Sequence, residues 1–190
     1  MTGDADPDCS EDEFFAFLES RKGKLDGVAI TGGEPCLRKD LPDFIKKIRN
    51  MGFLIKLDTN GNHPEVLKEL LTKGLVDYVA MDIKNSPQKY AITAGLSELD
   101  QGAVKESVSL LMQGNTDYEF RTTVVNGLHT GSDFEEIGKW ISGAKAYFLQ
   151  QFIDRDTVPG RGFSSPSEAQ LTQYLEIVKP YVSNSNIRGL

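Results

Sequence analysis

The chain has 190 residues, of which 39% are hydrophobic and 26% are charged, as expected for a folded domain with its own core. Its formal net charge of -7 disfavours a general nucleic-acid-binding surface, which requires a basic face. No apolar run approaches the roughly 20 residues of a membrane-spanning helix, and the acidic residues 1–13 predict no signal peptide.

The N-terminal residues 1–9 are small, polar and acidic, which predicts a flexible tail. Ser10 followed by Glu13 is a capping box that predicts a helix over residues 11–21. The two cysteines, Cys9 and Cys36, are too few for a disulfide framework, so we expect a cytoplasmic protein. Residues 10–190 show no internal repeat and are interpreted as one α/β domain.

Short apolar runs alternate with helical patterns along the rest of the chain. The runs cover residues 27–31, 53–58, 77–82, 118–124 and 146–152, and the helical patterns cover residues 41–51, 64–73, 101–113, 133–142 and 167–182. Pro64 suits a first helical position, and Ser132 or Asp133 can cap the fourth of these helices. The alternation predicts a parallel sheet, either open and doubly wound or closed toward a (β/α) barrel.

Both architectures place functional groups at the carboxyl ends of the strands. Polar and small residues gather there in this sequence, on several successive strands. The candidates for ligand binding are Gly32, Gly33, Glu34, Asp58, Asn60, Asp82, Lys84, Arg121 and Gln151. No catalytic residue and no metal ligand is assigned.

Each of these features also fits a plain structural role. Residues 32–35 (GGEP) can form a strand-to-helix turn, and Asn60 with Gly61 is a turn dipeptide. We expect Cys36 to be a small buried residue and His129 to lie in an exposed loop.

Together, the strand-end residues suit the amino-acid end of a zwitterionic ligand. Glycines let a ligand approach the backbone, carboxylates attract its ammonium group, and Lys84 attracts its carboxylate. No dinucleotide, phosphate-loop or zinc-protease motif is present.

The motifs resemble the radical S-adenosylmethionine superfamily. The likeness rests on residues 32–35 (GGEP), 57–61 (LDTNG) and 81–84 (MDIK), with further similarity at residues 150–152 (QQF) and 187–189 (IRG). It is strongest to the proteins that activate glycyl-radical enzymes, in particular anaerobic ribonucleoside-triphosphate reductase. The resemblance implies a partial (β/α)6 TIM-like barrel with parallel strands.

The resemblance also implies roles for the candidate residues. Gly32, Gly33 and Glu34 would contact the methionyl ammonium group of S-adenosylmethionine, and Lys84 would approach the methionyl carboxylate. The remaining candidates would line the same cavity: Asp58, Asn60, Asp82, Arg121 and, near the adenosyl end, Gln151.

In such proteins a reduced [4Fe–4S] cluster donates one electron to S-adenosylmethionine, and the resulting radical abstracts hydrogen from a backbone glycine of a partner enzyme. The resemblance therefore implies both cofactors. It also implies a glycyl-radical partner such as anaerobic ribonucleotide reductase, and an electron donor such as flavodoxin or ferredoxin.

The cluster of this family is held by a CxxxCxxC run, which the sequence lacks. We therefore expect the family's first strand and cluster loop to be absent from this chain, by truncation or natural loss, and the chain as given to be inactive. Two alternatives stay open. One is a non-catalytic domain that retains the pocket for S-adenosylmethionine, and the other is an unrelated barrel lyase or aldolase that uses Lys84.

Overall fold

Six parallel strands form one sheet in the computed structural model, which describes residues 9–95, 101–153 and 163–189. The strands lie side by side in chain order: β1 Gly27–Ile30, β2 Leu54–Thr59, β3 Tyr78–Asp82, β4 Asp117–Val124, β5 Tyr147–Gln151 and β6 Ser185–Arg188. The predicted α/β class and the partial parallel barrel are confirmed. The expected flexible tail, apart from Cys9, lies outside the described residues.

Helix α1 Glu11–Ser20 precedes β1, and the other helices connect successive strands. They are α2 Leu41–Asn50, α3 Pro64–Thr72, α4 Tyr90–Thr93, α5 Gln101–Gln113, α6 Gly131–Trp140 and α7 Glu168–Val178, with a 3-10 turn at Pro35–Leu37. A parallel pair requires such a crossover, so every strand presents its carboxyl end at the same edge of the sheet. In the described part of the chain, no helix has the length and hydropathy that a membrane crossing requires.

The C-terminal part of the chain differs from the prediction. The last helix, α7, ends at Val178, and β6 follows at residues 185–188, where no strand is predicted. β6 contains a single large apolar residue, Ile187, so no apolar run signals it. The cap of α6 also differs, because Thr130 is the N-cap and Asp133 completes its capping box from the third helical position.

The two faces of the sheet have opposite chemistry because successive strand residues point to opposite sides. One face packs into the hydrophobic core with the helices; its buried strand residues include Ile55, Leu57, Val79, Met81, Phe120, Tyr147 and Leu149. The other face, here called the inner face, carries most of the charged strand residues: Lys56, Asp58, Asp82, Glu119, Arg121 and Arg188. The fold therefore concentrates charge on the side that the helices leave free.

Candidate ligand-binding site

Glu34 joins the ends of β1 and β2. The residue is 8% exposed, and its Oε1 accepts hydrogen bonds from the Cys36 N–H at 3.1 Å and the Thr59 hydroxyl at 2.8 Å. Its Oε2 accepts a hydrogen bond from the Asn60 N–H at 2.7 Å. Hydrogen bonds to a carboxylate are about twice as strong as neutral ones, so Glu34 holds the two loops together. A carboxylate has four acceptor positions, which leaves Oε2 able to accept one more hydrogen bond from a ligand.

The backbone of Gly32 and Gly33 is exposed next to this junction. Gly32 has a φ of +124°, which L side chains rarely adopt, and this explains the glycine at that position. A Cβ atom built on either residue would meet no atom within 4 Å. The space in front of both peptide groups is therefore open, as a ligand approaching the backbone would need.

A row of charged side chains crosses the inner face from the second half of β2, over the end of β3, to the middle of β4. Arg121 is at its centre, with Nε donating to Asp82 Oδ1 at 2.6 Å and Nη1 lying 3.3 Å from Asp58 Oδ2. Lys84 Nζ donates to Asp82 Oδ2 at 2.7 Å, and Lys56 donates to Asp58 at the other end. The row brings together four sequence candidates from separate motifs, Asp58, Asp82, Lys84 and Arg121, and adds Lys56, which the sequence did not single out.

The register of the sheet explains how Arg121 reaches a strand that is not its neighbour. Arg121 pairs with Asp82 on β3, whereas Asp58 on β2 lies opposite Ala80. The small side chain of Ala80 leaves room for the guanidinium to extend across β3 toward Asp58. Sheet alternation alone places these residues on one face, but the contact depends on a small residue between them.

The row has a net charge of +1, because three cations share two carboxylates. Burial raises the pKa of Asp58, but its hydrogen bond to Lys56 and the Arg121 charge lower it further, so the pKa lies below its ordinary value. The carboxylate is therefore ionised at neutral pH. A ligand carboxylate would neutralise the surplus positive charge of the row.

Asn60 has a structural role in this loop. Its side-chain Oδ1 accepts a hydrogen bond from the Asn62 N–H at 2.9 Å, which closes a local turn. Its own N–H is the group that bonds to Glu34. The residue thus shapes the loop that Glu34 joins to the end of β1.

Gln151 does not lie with the other candidates. In the strand register it pairs with Val124, which is fully buried in the core, so it belongs to the helix-covered side. Its Nε2 donates to the Pro166 carbonyl at 3.0 Å and so fixes the chain before α7. The adjacent Gln150 occupies the inner face instead, opposite Thr123.

A second ion pair on the inner face is missing from the sequence candidates. Glu119 is 2% exposed and accepts two hydrogen bonds from Arg188, at 2.6 and 2.7 Å, and one from the Tyr78 hydroxyl at 2.8 Å. The Arg188 guanidinium also stacks over Phe148, with 3.5 Å between Cζ and the ring centroid. This pair links β4 to β6 across β5. Glu119 precedes Arg121 by two residues, and that same-face spacing was the available sequence signal.

His129 is buried, so its predicted place in an exposed loop is wrong. It is 3% exposed, and its Nε2 lies 2.9 Å from the Lys84 carbonyl oxygen. The loop after β4 turns back over the end of β3 and carries the ring inward. Nothing in the local sequence signals this, because a single histidine in a polar loop has no periodic pattern.

The cysteines do not form a cluster site in the described part of the chain. Cys9 is exposed and Cys36 is 4% exposed, which confirms the expectation that Cys36 is a buried residue. No three His, Cys, Asp or Glu residues among those described could hold a metal ion together. The described residues therefore do not fit an iron–sulfur cluster, which requires several thiolates.

We expect one of the two thiols to react with Ellman's reagent at pH 8 in the folded protein. Burial, together with the Glu34 charge, raises the pKa of the Cys36 thiol to about 12, so almost no reactive thiolate forms. Cys9 should react at once, and Cys36 should react only after denaturant is added. Rapid labelling of both thiols in the native protein would contradict the structure; a Cys9→Ser variant isolates the slow thiol.

The family model of the radical SAM superfamily matches residues 9–141, which include β1–β4 and the charged row. The chain belongs to the radical SAM superfamily. Among curated relatives of this radical SAM domain is a protein of Methanocaldococcus jannaschii provisionally named a glycyl-radical enzyme activating enzyme. The two are 35% identical over 172 residues, which is 87% of this chain and 71% of the relative.

Solved structures share the fold of this radical SAM domain. A domain of the pyruvate-formate lyase-activating enzyme from Bacteroides vulgatus has a TM-score of 0.71 at 18% identity, covering 86% of this chain and 99% of that chain. Streptococcus suis SuiB bound to S-adenosylmethionine has a TM-score of 0.75 at 12% identity, and the match covers 98% of this chain and 45% of the SuiB chain. At these identities the likeness shows the fold, and it agrees with the partial barrel.

Proposed function

We propose that this radical SAM domain binds S-adenosylmethionine through the carboxyl ends of β1–β4. The observation that carries the proposal is the charged row with its net charge of +1, which lies in the same parallel sheet whose first strand is followed by the open backbone of Gly32 and Gly33. The two features offer complementary sites for the two charges of an amino acid. When bound, S-adenosylmethionine would be the molecule that is cleaved to give the radical.

The residues of this chain would bind and orient the methionyl group. Lys84 would bind the carboxylate, because its side chain is 41% exposed and it lies beyond the carboxyl end of β3. The Gly32 and Gly33 peptide groups and the remaining acceptor position of Glu34 would bind the ammonium group. Asp58 and Asp82 would hold Arg121 in place, so the positive charge stays at the rim.

The family implies a [4Fe–4S] cluster as well as S-adenosylmethionine. Since the described residues do not fit a cluster, none of them is assigned as a cluster ligand.

The named relative supports a glycyl-radical enzyme as the partner class. Within that class we propose anaerobic ribonucleotide reductase, with flavodoxin or ferredoxin as the electron donor. A binding titration against that reductase, with pyruvate formate-lyase for comparison, would check the choice of partner. A cytoplasmic location remains a prediction.

The structure offers little support for a lyase or aldolase that uses Lys84. A lysine that forms a Schiff base must be desolvated, so that its neutral amine is available. Lys84 instead is 41% exposed at its side chain and bonds to the Asp82 carboxylate at 2.7 Å. This pairing favours binding of an anion over nucleophilic chemistry.

We expect the chain to bind S-adenosylmethionine, and a Lys84→Met variant to bind it about 10- to 100-fold more weakly. The reason is the loss of one charged hydrogen bond to the methionyl carboxylate. Isothermal titration calorimetry would measure both affinities. Lys105→Met, on the exposed side of α5, is the matched control and should bind like the wild type.

Two results would count against the proposed function. The first is no detectable heat and no thermal protection when the wild-type chain is titrated with millimolar S-adenosylmethionine. The second is equal weakening by the Lys84 and Lys105 variants, because the effect would then reflect general charge. Thermal unfolding of each variant separates loss of binding from loss of folding.

A further inference from the structure

His129 lies directly behind the charged row, between the loop after β4 and the segment after β3. Its ring is buried, and it packs beside Phe134 with 5.7 Å between ring centroids. Its two nitrogens face the backbone of two different segments, at Lys84 and at Val125. The ring thus connects the loop after β4 to Lys84, the residue at the β3 end of the charged row.

The contacts favour one protonation state of the ring. The Lys84 carbonyl can only accept, so Nε2, 2.9 Å away, carries a proton and donates it. Nδ1 has two backbone neighbours at Val125: the N–H, which donates to it at 3.1 Å, and the carbonyl oxygen at 3.3 Å. The shorter of these contacts, together with the buried position of the ring, favours a neutral imidazole with its proton on Nε2. Burial lowers the pKa of His129, in agreement with the neutral form.

The segment that carries Lys84 is held at successive positions from β4 and the loop that follows it. The Ile83 carbonyl accepts a hydrogen bond from the Thr122 hydroxyl at 2.7 Å, and the Asn85 side chain donates to the Leu128 carbonyl at 3.2 Å. Between them, the Lys84 carbonyl is held by His129.

Further along, the Ser86 hydroxyl donates to Asp133 at 3.1 Å, and Lys89 bonds to the other oxygen of the same carboxylate at 2.7 Å. The backbone on both sides of Lys84 is therefore anchored independently of the histidine. The Lys84 backbone is also contacted by the Tyr90 hydroxyl, and His129 is the side chain that holds the Lys84 carbonyl.

We infer that His129 is a positioning residue for Lys84: its Nε2–H fixes the Lys84 carbonyl, and this sets where the Lys84 ammonium group lies in the charged row. The inference rests on the proposed function only in naming the ligand group, a carboxylate, that Lys84 receives. The Lys84 side chain is partly exposed, and its ammonium group bonds to Asp82. The position of the Lys84 backbone therefore limits how far the ammonium group can extend beyond Asp82 toward a ligand. Small displacements of a binding group are costly for a ligand.

Two conservative variants separate the two bonds of the ring. In His129→Gln the amide nitrogen can take the place of Nε2 and donate to the Lys84 carbonyl. In His129→Asn the shorter side chain can accept from the Val125 N–H but does not reach Lys84. Both variants keep a polar group of similar size in the buried site, so both are compared with the wild type for folding by thermal unfolding.

The test measures the affinity of each protein for S-adenosylmethionine and for decarboxylated S-adenosylmethionine, which lacks the carboxylate. We expect His129→Asn to weaken binding of S-adenosylmethionine by about tenfold and to leave the decarboxylated ligand unchanged. His129→Gln should restore most of the affinity. Two results would overturn the inference: equal weakening of binding for both ligands in His129→Asn, or equal affinities of the Asn and Gln variants. Either result is expected if His129 only stabilises the fold.

A second measurement needs no ligand and separates this inference from the proposed function. Lysines are dimethylated with ¹³C, and the Lys84 resonance is compared with that of Lys105, which is exposed. We expect the Lys84 signal to shift toward the Lys105 signal in His129→Asn and to stay in place in His129→Gln. An unchanged Lys84 signal in His129→Asn would reject the positioning role even if S-adenosylmethionine binds. If the Lys84 signal shifts in His129→Asn but the wild-type protein does not bind S-adenosylmethionine, the proposed function is rejected and the positioning role of His129 stands.

Discussion

An Arg121→Met variant should unfold with a free energy about 2–3 kcal/mol lower than that of the wild type at pH 7. The guanidinium bonds to Asp82 at 2.6 Å and lies 3.3 Å from Asp58, and these three side chains are 17–27% exposed. Removing the guanidinium leaves the Asp58 and Asp82 carboxylates partly buried with less positive charge beside them, which destabilises the folded state. Urea denaturation followed by circular dichroism measures the difference.

The effect of Arg121→Met should depend on pH. The pKa of Asp58 lies below its ordinary value, because Lys56 and Arg121 outweigh the effect of burial. A carboxylate with a lowered folded pKa contributes stability above its unfolded pKa and loses it as the pH falls through the folded value. The gap between wild type and variant should therefore narrow below about pH 4.

Arg38→Met is the matched control for this experiment. Arg38 also pairs with an aspartate, Asp40, at 2.6 Å, but both side chains are more than half exposed. Exposed pairs contribute little, so this variant should lose less than about 1 kcal/mol. If both arginine variants lost the same stability, or if the Arg121 effect did not change with pH, the charged row would not be the cause.

A Glu34→Gln variant should lose about 2 kcal/mol of unfolding free energy. The carboxylate accepts three hydrogen bonds, and two of the donors are the backbone N–H groups of Cys36 and Asn60. A glutamine side chain has one oxygen, so its NH2 group must face a donor at one of these positions. That donor is then left unpaired in a buried place.

Glu106→Gln, the same change on the exposed side of α5, should leave stability within about 0.5 kcal/mol of the wild type. Because Glu34 also holds the loops beside Gly32 and Gly33, Glu34→Gln should weaken binding of S-adenosylmethionine as well. Equal stability of the Glu34 and Glu106 variants would show that the junction between β1 and β2 does not depend on the carboxylate.

Much of the site can be predicted from sequence because parallel strands bring their carboxyl ends to one edge. Asp58 lies near the end of β2, Asp82 ends β3 with Lys84 two residues beyond it, and Arg121 lies within β4. Their meeting therefore follows once the sheet is recognised. The spacing of Asp82 and Lys84 already indicates one face. The contacts that the sequence does not predict are those that depend on the exact register of the strands or on the paths of the loops.

Gln150 and Gln151 illustrate the limit set by register. They are adjacent and chemically identical, and only the pairing of β5 with β4 decides that Gln150 lies on the inner face. A shift of one residue would exchange their places. The apolar run of residues 146–152 predicts a strand but not its register, and the candidate chosen from the sequence, Gln151, is the one of the two that does not lie on the inner face.

Length, composition and strand-end motifs by themselves determined that this is an α/β chain with a parallel sheet and a group of charged side chains toward the carboxyl ends of its strands. These features are local, because each depends on a pattern within a few residues. The tertiary structure alone decided that Glu34 joins two loops, that Arg188 reaches Glu119 across β5, and that His129 is buried behind Lys84. Each of these joins residues distant in sequence, and their positions depend on loop paths and sheet curvature that no local pattern encodes.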